Sequence, residues 1–475
     1  MSVAALAERL RRELGDEAVL HHPIERHLYS KDSGLRRADP DLVVLPTSTE
    51  QVVAVVRAAA DEGVSVVPRG GGSGLTGGAV PSGEAVVVVL TRMDAIHEID
   101  AEARTAWVGP GVINLDLSAA TEPLGLHFAP DPSSQSVCTI GGNVANNSGG
   151  PHCLAEGSTV AHILAVEVVL ASGEVVVLGG AAPDQPGLDL RGVVVGSEGT
   201  LGIVTRVLVR LTPNPPAVRT LLMEFAEVHD AAATVTGIVG AGIVPAALEL
   251  MDQRTLEVLE NFLHAGLPTD VAAVLLCETT GHPAAVEAEA EICRRVAERN
   301  GATKVRVAAD AAERALLWHA RKAAFGAVAQ LAPDFYLHDA VVPRTKLPEV
   351  LDGVYDIAER HGLAIMNVFH AGDGNLHPIM GFDLAEPGVE AAVFAAGDEI
   401  IDLCLSVGGA LTGEHGIGTE KRNHLPKVFD AVGLDAQARL REAFDPDGLF
   451  NPDHLLPAGS RCADFGRPIP EGAWV

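Results

Sequence analysis

The apolar positions of this 475-residue chain change rhythm repeatedly, and the changes mark out alternating helices and strands. After a mixed-charge N-terminal helix, capped by Ser2 and ending near Gly15, the segment Asp41 to Pro46 reads as a short strand stopped by its proline. Ser48 with Gln51 forms a capping box ahead of Val52, Val53, Val55, Val56 and Ala60, which predicts a helix to about Gly63. Val64 to Val67 returns as a strand and feeds a glycine-rich loop, after which Ala85 to Leu90 is again a strand. Further valine-rich strands bounded by Gly or Pro are expected at Ala106 to Gly109, Val166 to Leu170, Val175 to Leu178 and Ile203 to Leu211. Thr212-Pro213-Asn214-Pro215-Pro216 is the clearest linker, because each proline resists continuing a helix or a central strand. Beyond it, helices at Val286 to Arg299, Ala311 to Ala329 and Leu347 to His361, with strands at Val271 to Glu278 and Ala364 to Phe369, describe a second α/β domain. No internal repeat stands out.

Composition narrows the class. The length exceeds what one core usually organises, so two or three domains are expected. With 47% hydrophobic and 20% charged residues the chain should fold as an ordinary globular protein. A net charge of −29 opposes binding to nucleic acid or an anionic membrane surface. Glu8, Arg9, Arg11, Arg12 and Glu13 interrupt the first twenty residues, so no secretory signal is expected. The longest bulky apolar runs are strand-sized, below the roughly 20 residues a membrane span needs. Six cysteines, Cys138, Cys153, Cys277, Cys293, Cys404 and Cys462, occur without a C-x-x-C pair, which points to reduced cytoplasmic thiols rather than a zinc ribbon or an iron–sulfur cluster.

The loop Pro68-Arg69-Gly70-Gly71-Gly72-Ser73-Gly74-Leu75-Thr76-Gly77-Gly78 contains a literal dinucleotide fingerprint, Gly72-x-Gly74-x-x-Gly77. That motif requires a helix opening from the loop, whereas Pro81 and Gly83 break the continuation here, so a Rossmann site is not expected; nor is there a Walker lysine. What remains is a run of backbone N–H groups without side-chain obstruction, able to cradle a pyrophosphate. The alternative is a flexible turn, whose needs so many glycines exceed. Two more loops of this kind, Thr139 to Gly150 (TIGGNVANNSGG) after Pro130-Asp131-Pro132, and Gly196 to Thr205 (GSEGTLGIVT) entering a strand, strengthen the ligand reading.

A second constellation lies downstream. Phe369-His370 ends an apolar strand, Gly372-Asp373-Gly374-Asn375 is a turn, and His377 begins the return toward Ile379 and Met380, so a hairpin is expected to set one imidazole directly against the other. Directly opposed residues have Cβ atoms about 4.5–5.5 Å apart, which suits two ligands on one divalent metal, with Glu414 as a third, oxygen ligand. The other reading is that these histidines simply hydrogen-bond within a pocket. Gly413 and Gly416 bracket Glu414-His415, which lets both side chains act at one site, and a neutral His415 can accept a hydroxyl proton; a surface histidine is the alternative. Arg321, in the cation-rich WHARKAAF stretch, can grip a carboxylate through two parallel hydrogen bonds or lie on a solvated helix face.

Together the loops PRGGGSGLTGGAVP, TIGGNVANNSGGP and GSEGTLGIVT resemble, in order and spacing, the FAD-binding domain of the vanillyl-alcohol-oxidase and cresol-methylhydroxylase superfamily. His370 to His377, Gly413 to Gly418 and Leu449-Phe450-Asn451-Pro452 resemble its D-2-hydroxyacid dehydrogenase branch, which includes the FAD-linked glycolate oxidase subunit, D-lactate dehydrogenase and D-2-hydroxyglutarate dehydrogenase; the likeness runs from Asp39 to Pro457. It implies an α+β fold: a two-part FAD-binding domain of the vanillyl-alcohol-oxidase type, an α/β substrate (cap) domain and a C-terminal segment returning to the flavin site. By this resemblance Pro68, Arg69, Gly70, Gly71, Gly72, Ser73, Gly74, Thr76 and Gly77 would hold the FAD pyrophosphate. Pro130, Ser133, Thr139, Gly142, Asn146 and Ser148 would line the cofactor's middle and flavin end. Glu198, Gly199, Gly202 and Ile203 would contact the adenosine part or the back of the ring, and Asn451 would return to the flavin edge. Members with a covalent flavin often carry His in the first loop, where Ser73 stands here, so the FAD is expected to be noncovalent.

The resemblance also implies a divalent metal, zinc or else manganese or iron, on His370, His377 and Glu414, with His415 as the base and Arg321 orienting the substrate carboxylate. Relatives acting on 2-hydroxyglutarate carry a lysine shortly before the Asp339 equivalent, where this chain has Leu337-His338; Lys322, His338 or Arg344 would have to substitute. The expected activity is oxidation of a short D-2-hydroxyacid such as glycolate or D-lactate by hydride transfer to flavin N5. A quinone-linked subunit, a cytochrome or an electron-transfer flavoprotein would take the electrons, and the chain would be cytoplasmic or peripheral to the inner membrane face through such a partner, with a homodimer as one assembly. The rivals are a D-2-hydroxyglutarate dehydrogenase, a zinc-dependent hydrolase with merely structural glycine loops, and a noncatalytic FAD-binding subunit. The expected division is an N-terminal helical segment at 1–38, the FAD-binding domain at 39–215, the substrate domain at 216–412, the return segment at 413–457 and a tail at 458–475.

Overall fold

The computed structural model describes residues 3–182 and 186–457; Ser2, Cys462 and the tail lie outside them. The chain forms two compact units, one of Met1–Ser148, Ser158–Pro213 and Glu414–Val475, the other of Gly149–Gly157 and Asn214–Gly413. No helix among the described residues is long and apolar enough to cross a membrane.

The first unit holds two sheets. In one, Leu42–Val44, Ala85–Val89 and Ser65–Arg69 run parallel, with Val19–Leu20 added antiparallel at the edge. Parallel strands are covered on both faces and so read as continuous apolar runs. Accordingly Leu42, Val44, Val66, Val86 and Val88 pack against Leu6, Leu10, Val52, Val55 and Val56 of the helices Val3–Leu14 and Thr49–Glu62, while the alternate residues Val43, Val67, Val87 and Val89 build a core on the other face. Ser48 caps the second helix by accepting from Gln51 N–H at 3.4 Å. The reciprocal bond expected of a capping box is displaced by one residue: Gln51 accepts from Thr47 N–H at 2.7 Å. Gly63, at φ 68°, ends the helix in the left-handed region.

The other sheet is antiparallel, in the order Ile96–Asp100, Thr105–Val108, Ile203–Arg210, Ile163–Val169, Val175–Gly179. Its first strand carries no valine run and is largely exposed, which left it without a sequence signal. The segment after Gly413 belongs to this unit too. Val66 N–H donates to Leu449 O at 2.8 Å and Asn451 N–H to Val66 O at 3.0 Å, and Phe450 is fully buried in the core beneath the parallel strands.

In the second unit Ala302–Val307, Ala217–Phe225, Ala273–Gly281, Ala247–Asp252 and Ala364–His370 are antiparallel neighbours in that order. Leu276, Met366 and Val368 point to the face covered by the helices Gln253–Leu263 and Ala311–Ala327, through Leu256, Leu259, Leu317 and Ala324.

Asp252 ties four elements of this unit together. Its carboxylate caps the helix that follows by accepting from Thr255 N–H at 2.9 Å, and takes Asn367 N–H at 2.8 Å and the Tyr355 hydroxyl at 2.9 Å. Asn367 lies on the strand that ends in His370, so this bond helps fix the candidate site. Asp252→Ala should lower stability by about 3 kcal/mol or more, from a lost cap and buried donors left without an acceptor. Urea unfolding measures it; a loss below about 1 kcal/mol would show that the site relaxes around the missing carboxylate.

Candidate active site

In the first unit the glycine-rich loop leaves the C-terminal end of a parallel strand. Among the described residues, no acceptor takes the N–H groups of Gly71, Gly72, Ser73, Gly74 or Leu75. The loop is held from beneath instead: the buried Asp32 accepts from Gly77 N–H at 2.9 Å and from Gly34 N–H at 2.8 Å. Gly70 has to be glycine, because a Cβ there would collide with Thr139 Oγ1. Gly72, at φ 71°, lies in the left-handed region, and a Cβ would run into the Arg69 guanidinium. Arg69 is buried, 5.7 Å from the Tyr29 ring, and burial lowers its pKa. A run of unused, unobstructed N–H donors beside a buried guanidinium suits a doubly charged pyrophosphate, and FAD fits this cradle.

The second loop is partly helical, contrary to the expectation of a continuous loop. Thr139 caps a helix at Ile140–Asn146 by accepting from Gly142 N–H at 3.3 Å, and Asn147 at φ 51° ends it. Its glycines serve close packing, since Gly141 sits against Pro110. Pro130 also has a structural partner, its carbonyl accepting from the Asn114 amide at 2.9 Å. The Ser148 carbonyl receives Thr159 N–H at 3.0 Å.

Glu198, expected to contact the cofactor, has partners within its own unit. Its carboxylate is taken up by Ile417 N–H at 2.7 Å and Gly418 N–H at 2.6 Å, within the return segment. Burial pushes its carboxyl up to about 7, against the pull of those two N–H groups and of Lys421. Asn451, fully buried with φ 41°, donates to Glu198 O at 2.8 Å, and Gly199 packs close to the Asn451 amide and to Pro68. Gly202 and Ile203 enter the antiparallel sheet, Gly202 against Val168. His415 is fixed through its backbone: its carbonyl accepts from Thr76 Oγ1 at 3.2 Å and from the Asn146 amide at 2.9 Å. Its Nε2 lies 3.8 Å from Glu414 Oε1.

In the second unit the hairpin forms, but in a different register from the one expected. His370 stands opposite Asn375, and Asn367 opposite Pro378. The turn therefore sets the imidazoles diagonally rather than face to face. Two residues of offset along a strand keep both on one side of the sheet, and the rings still meet edge to face with centroids 5.1 Å apart. Both are buried.

The sequence reading missed the carboxylate beside them. Glu249 is paired across the strands with His370, is fully buried, and lies 2.9 Å from His370 Nδ1 through each oxygen. Its Oε2 also meets Arg321 Nη2 at 2.5 Å. A glutamate inside the apolar run Ala247-Leu248-Glu249-Leu250-Met251 was the available signal, because a buried carboxylate needs partners. Arg321 is thus buried rather than on a solvated helix face. Part of its guanidinium is committed to Glu249, while its buried Nε has no hydrogen-bond partner among the described residues. Asp339 is a second missed carboxylate: it accepts from Thr412 Oγ1 and, at 3.0 Å, from Gly413 N–H, and its Oδ1 lies 3.7 Å from His377 Nδ1. Of the substitutes weighed for a second carboxylate, His338 is buried beside Tyr336, Lys322 lies over Trp318, and Arg344 donates to Gly372 O at 3.2 Å.

With this geometry in view, the comparisons place the chain. Residues 40–179 match the FAD binding domain model and residues 214–455 the model for the C-terminal domain of FAD linked oxidases. The chain belongs to the FAD-linked oxidase family, with an FAD-binding domain and the C-terminal domain of those enzymes. It is 44% identical to the glycolate oxidase subunit GlcD of Escherichia coli K12, over 96% of this chain and 92% of that protein. It is 33% identical to a D-lactate dehydrogenase of Anaerostipes hadrus, over 88% and 90%. The 4-ethylphenol oxidase of Gulosibacter chungangensis shares the fold at a TM-score of 0.82 and 19% identity, covering 96% of this chain and 98% of that one. The α+β fold of the vanillyl-alcohol-oxidase type is therefore present, and the protein is an FAD-linked oxidoreductase. The hydrolase and noncatalytic readings fall with that assignment.

The buried Glu198 gives a pH test. Its folded value of about 7 lies above the ordinary 4.5, so its stabilising contribution is complete below 4.5 and lost as pH rises through about 7. Between those limits wild-type stability should fall relative to Glu198→Gln by on the order of 3 kcal/mol. Denaturant unfolding of both proteins from acid to about pH 8 measures it; parallel curves would show that the carboxyl titrates normally.

Proposed function

We propose that the protein oxidises a short D-2-hydroxyacid, glycolate or D-lactate, to the 2-oxoacid, with noncovalent FAD as the immediate acceptor. The observation that carries this reading is the buried His370 and His377 pair, backed by Glu249 and Arg321, in a chain whose full-length relatives are named for glycolate and D-lactate. When bound, FAD supplies a two-electron acceptor for the hydride from C2. A divalent metal, zinc or else manganese or iron, would be held by His370, His377 and Glu414 and would supply Lewis-acid polarisation of the substrate oxygens. The donor types suit such an ion: two imidazoles and a carboxylate are ligands that zinc, manganese and iron accept, and the His370 ring is held through Nδ1 by Glu249.

His415 accepts the hydroxyl proton at an imidazole nitrogen, and its backbone anchors to Thr76 and Asn146 limit how far the ring can wander. Arg321 Nε, buried and without a partner among the described residues, offers its N–H to the substrate carboxylate. The reduced flavin is reoxidised by an external acceptor, for which a quinone-linked subunit, a cytochrome or an electron-transfer flavoprotein is suited; the word subunit in the name of the Escherichia coli relative supports a partner chain.

Anaerobic bleaching of the flavin against paired D- and L-2-hydroxyacids tests the reading. Bleaching by D-lactate or glycolate, and not by L-lactate, is expected; no bleaching by either would overturn it. His415→Asn should keep FAD yet slow stopped-flow flavin reduction by about 10²–10⁴-fold, the usual worth of a general base. A near-normal rate with unchanged pH dependence would exclude His415 as the base. Acid precipitation should release the yellow cofactor into the supernatant, whereas colour retained in the pellet would show a covalent bond.

A further inference from the structure

We infer that Glu249 is a positioning residue: it fixes the His370 ring with the proton on Nδ1, so that Nε2 is the nitrogen presented to a divalent metal. The role rests on the metal reading above. Three distances at Nδ1 favour this tautomer. Both Glu249 oxygens lie 2.9 Å from Nδ1, whereas Arg321 Nη2, the competing donor, stands 3.4 Å away. Were Nδ1 the unprotonated nitrogen, its lone pair would face two carboxylate oxygens at hydrogen-bond distance with no proton between them. With the proton on Nδ1 the two oxygens become acceptors, and the longer Arg321 contact is left as packing.

The placement comes from the fold. Glu249 and His370 are directly opposed on adjacent antiparallel strands, so their Cβ atoms are neighbours. The same carboxylate receives Arg321 from the helix covering that face, at 2.5 Å, which compensates its charge in a fully buried site. A carboxylate behind a histidine ligand holds the ring orientation and raises the basicity of the ligating nitrogen, and its loss typically costs metal affinity about 10–100-fold. Arg321 and Glu249 meet directly, so charge compensation alone does not require an imidazole on the same carboxylate.

The test uses the full-length, FAD-loaded protein titrated with zinc against a chromophoric chelator. Glu249→Gln should bind zinc about 10–100-fold more weakly while keeping wild-type FAD content. Because Gln leaves Arg321 uncompensated, Glu249→Asp carries the same comparison should the first variant fail to fold: it keeps the charge opposite Arg321 and withdraws the oxygens from the ring. Long-range proton–nitrogen spectra of the zinc-free wild type, with the signal assigned by its loss in His370→Asn, should show His370 as the Nδ1–H tautomer. Zinc affinity within twofold of wild type in a folded Glu249 variant, or an Nε2–H tautomer in the wild type, would overturn this role and leave the metal reading standing. A wild-type protein that takes up no zinc, manganese or iron would remove the metal reading and this role together.

Discussion

The loops of this protein depend on one kind of bond, a buried carboxylate accepting backbone N–H groups. Asp32 gathers Gly34 and Gly77, Glu198 gathers Ile417 and Gly418, Asp252 gathers Thr255 and Asn367, Asp339 takes Gly413, and Asp445 takes Leu449 and Phe450. Each stands where the chain has no ladder partner for those donors, and each N–H would otherwise be desolvated at a cost of about 1–3 kcal/mol. A charged acceptor is stronger than a neutral one and holds two donors at a fixed separation. The loops can therefore be glycine-rich and still have one conformation.

This explains how segments that form no regular structure keep precise shapes. Asp32 holds the glycine-rich loop through Gly77 N–H, while the N–H groups of Gly71 to Leu75 have no acceptor among the described residues. The return segment is held at two places, by Glu198 near its start and by Asp445 near its end. Arg441 adds a cationic counterpart, donating to the carbonyls of Phe450 and Asn451 at 2.7 Å each. In the second unit the same logic is applied to a side chain, where Glu249 holds an imidazole rather than a peptide.

What the amino-acid pattern disclosed was whatever local periodicity encodes. The valine runs at Ala85–Val89 and Ile203–Arg210, the helix at Leu347–His361 and the strand ending at His370 needed only side-chain spacing. Glycine loops were legible because no other residue type explains them. The diagonal setting of His370 and His377 was not, since register is decided by how many residues the turn consumes, and four turn residues admit more than one pairing. Glu249 was hidden for a different reason: its partners are 72 and 121 residues away along the chain, a distance no window of spacing spans. Thr139 to Asn146 read as a loop because glycine and asparagine are weak helix formers, and the Thr139 cap with burial of Ile140 and Val144 overrides that preference.

The return of Phe450 to the core of the parallel strands has a consequence for the order in which the protein can be made. The strands it packs against leave the ribosome before the residue that closes their core, which follows only after the whole of Asn214–Gly413. At a typical elongation rate that intervening stretch takes roughly 10–40 s to synthesise. Throughout that interval Val66 lacks both the carbonyl and the N–H that later bracket it, and the apolar surface reserved for Phe450 stays open. The unit that begins first is thus finished last, and a nascent chain interrupted before Phe450 carries an unclosed flavin-binding core whatever the state of the domain between.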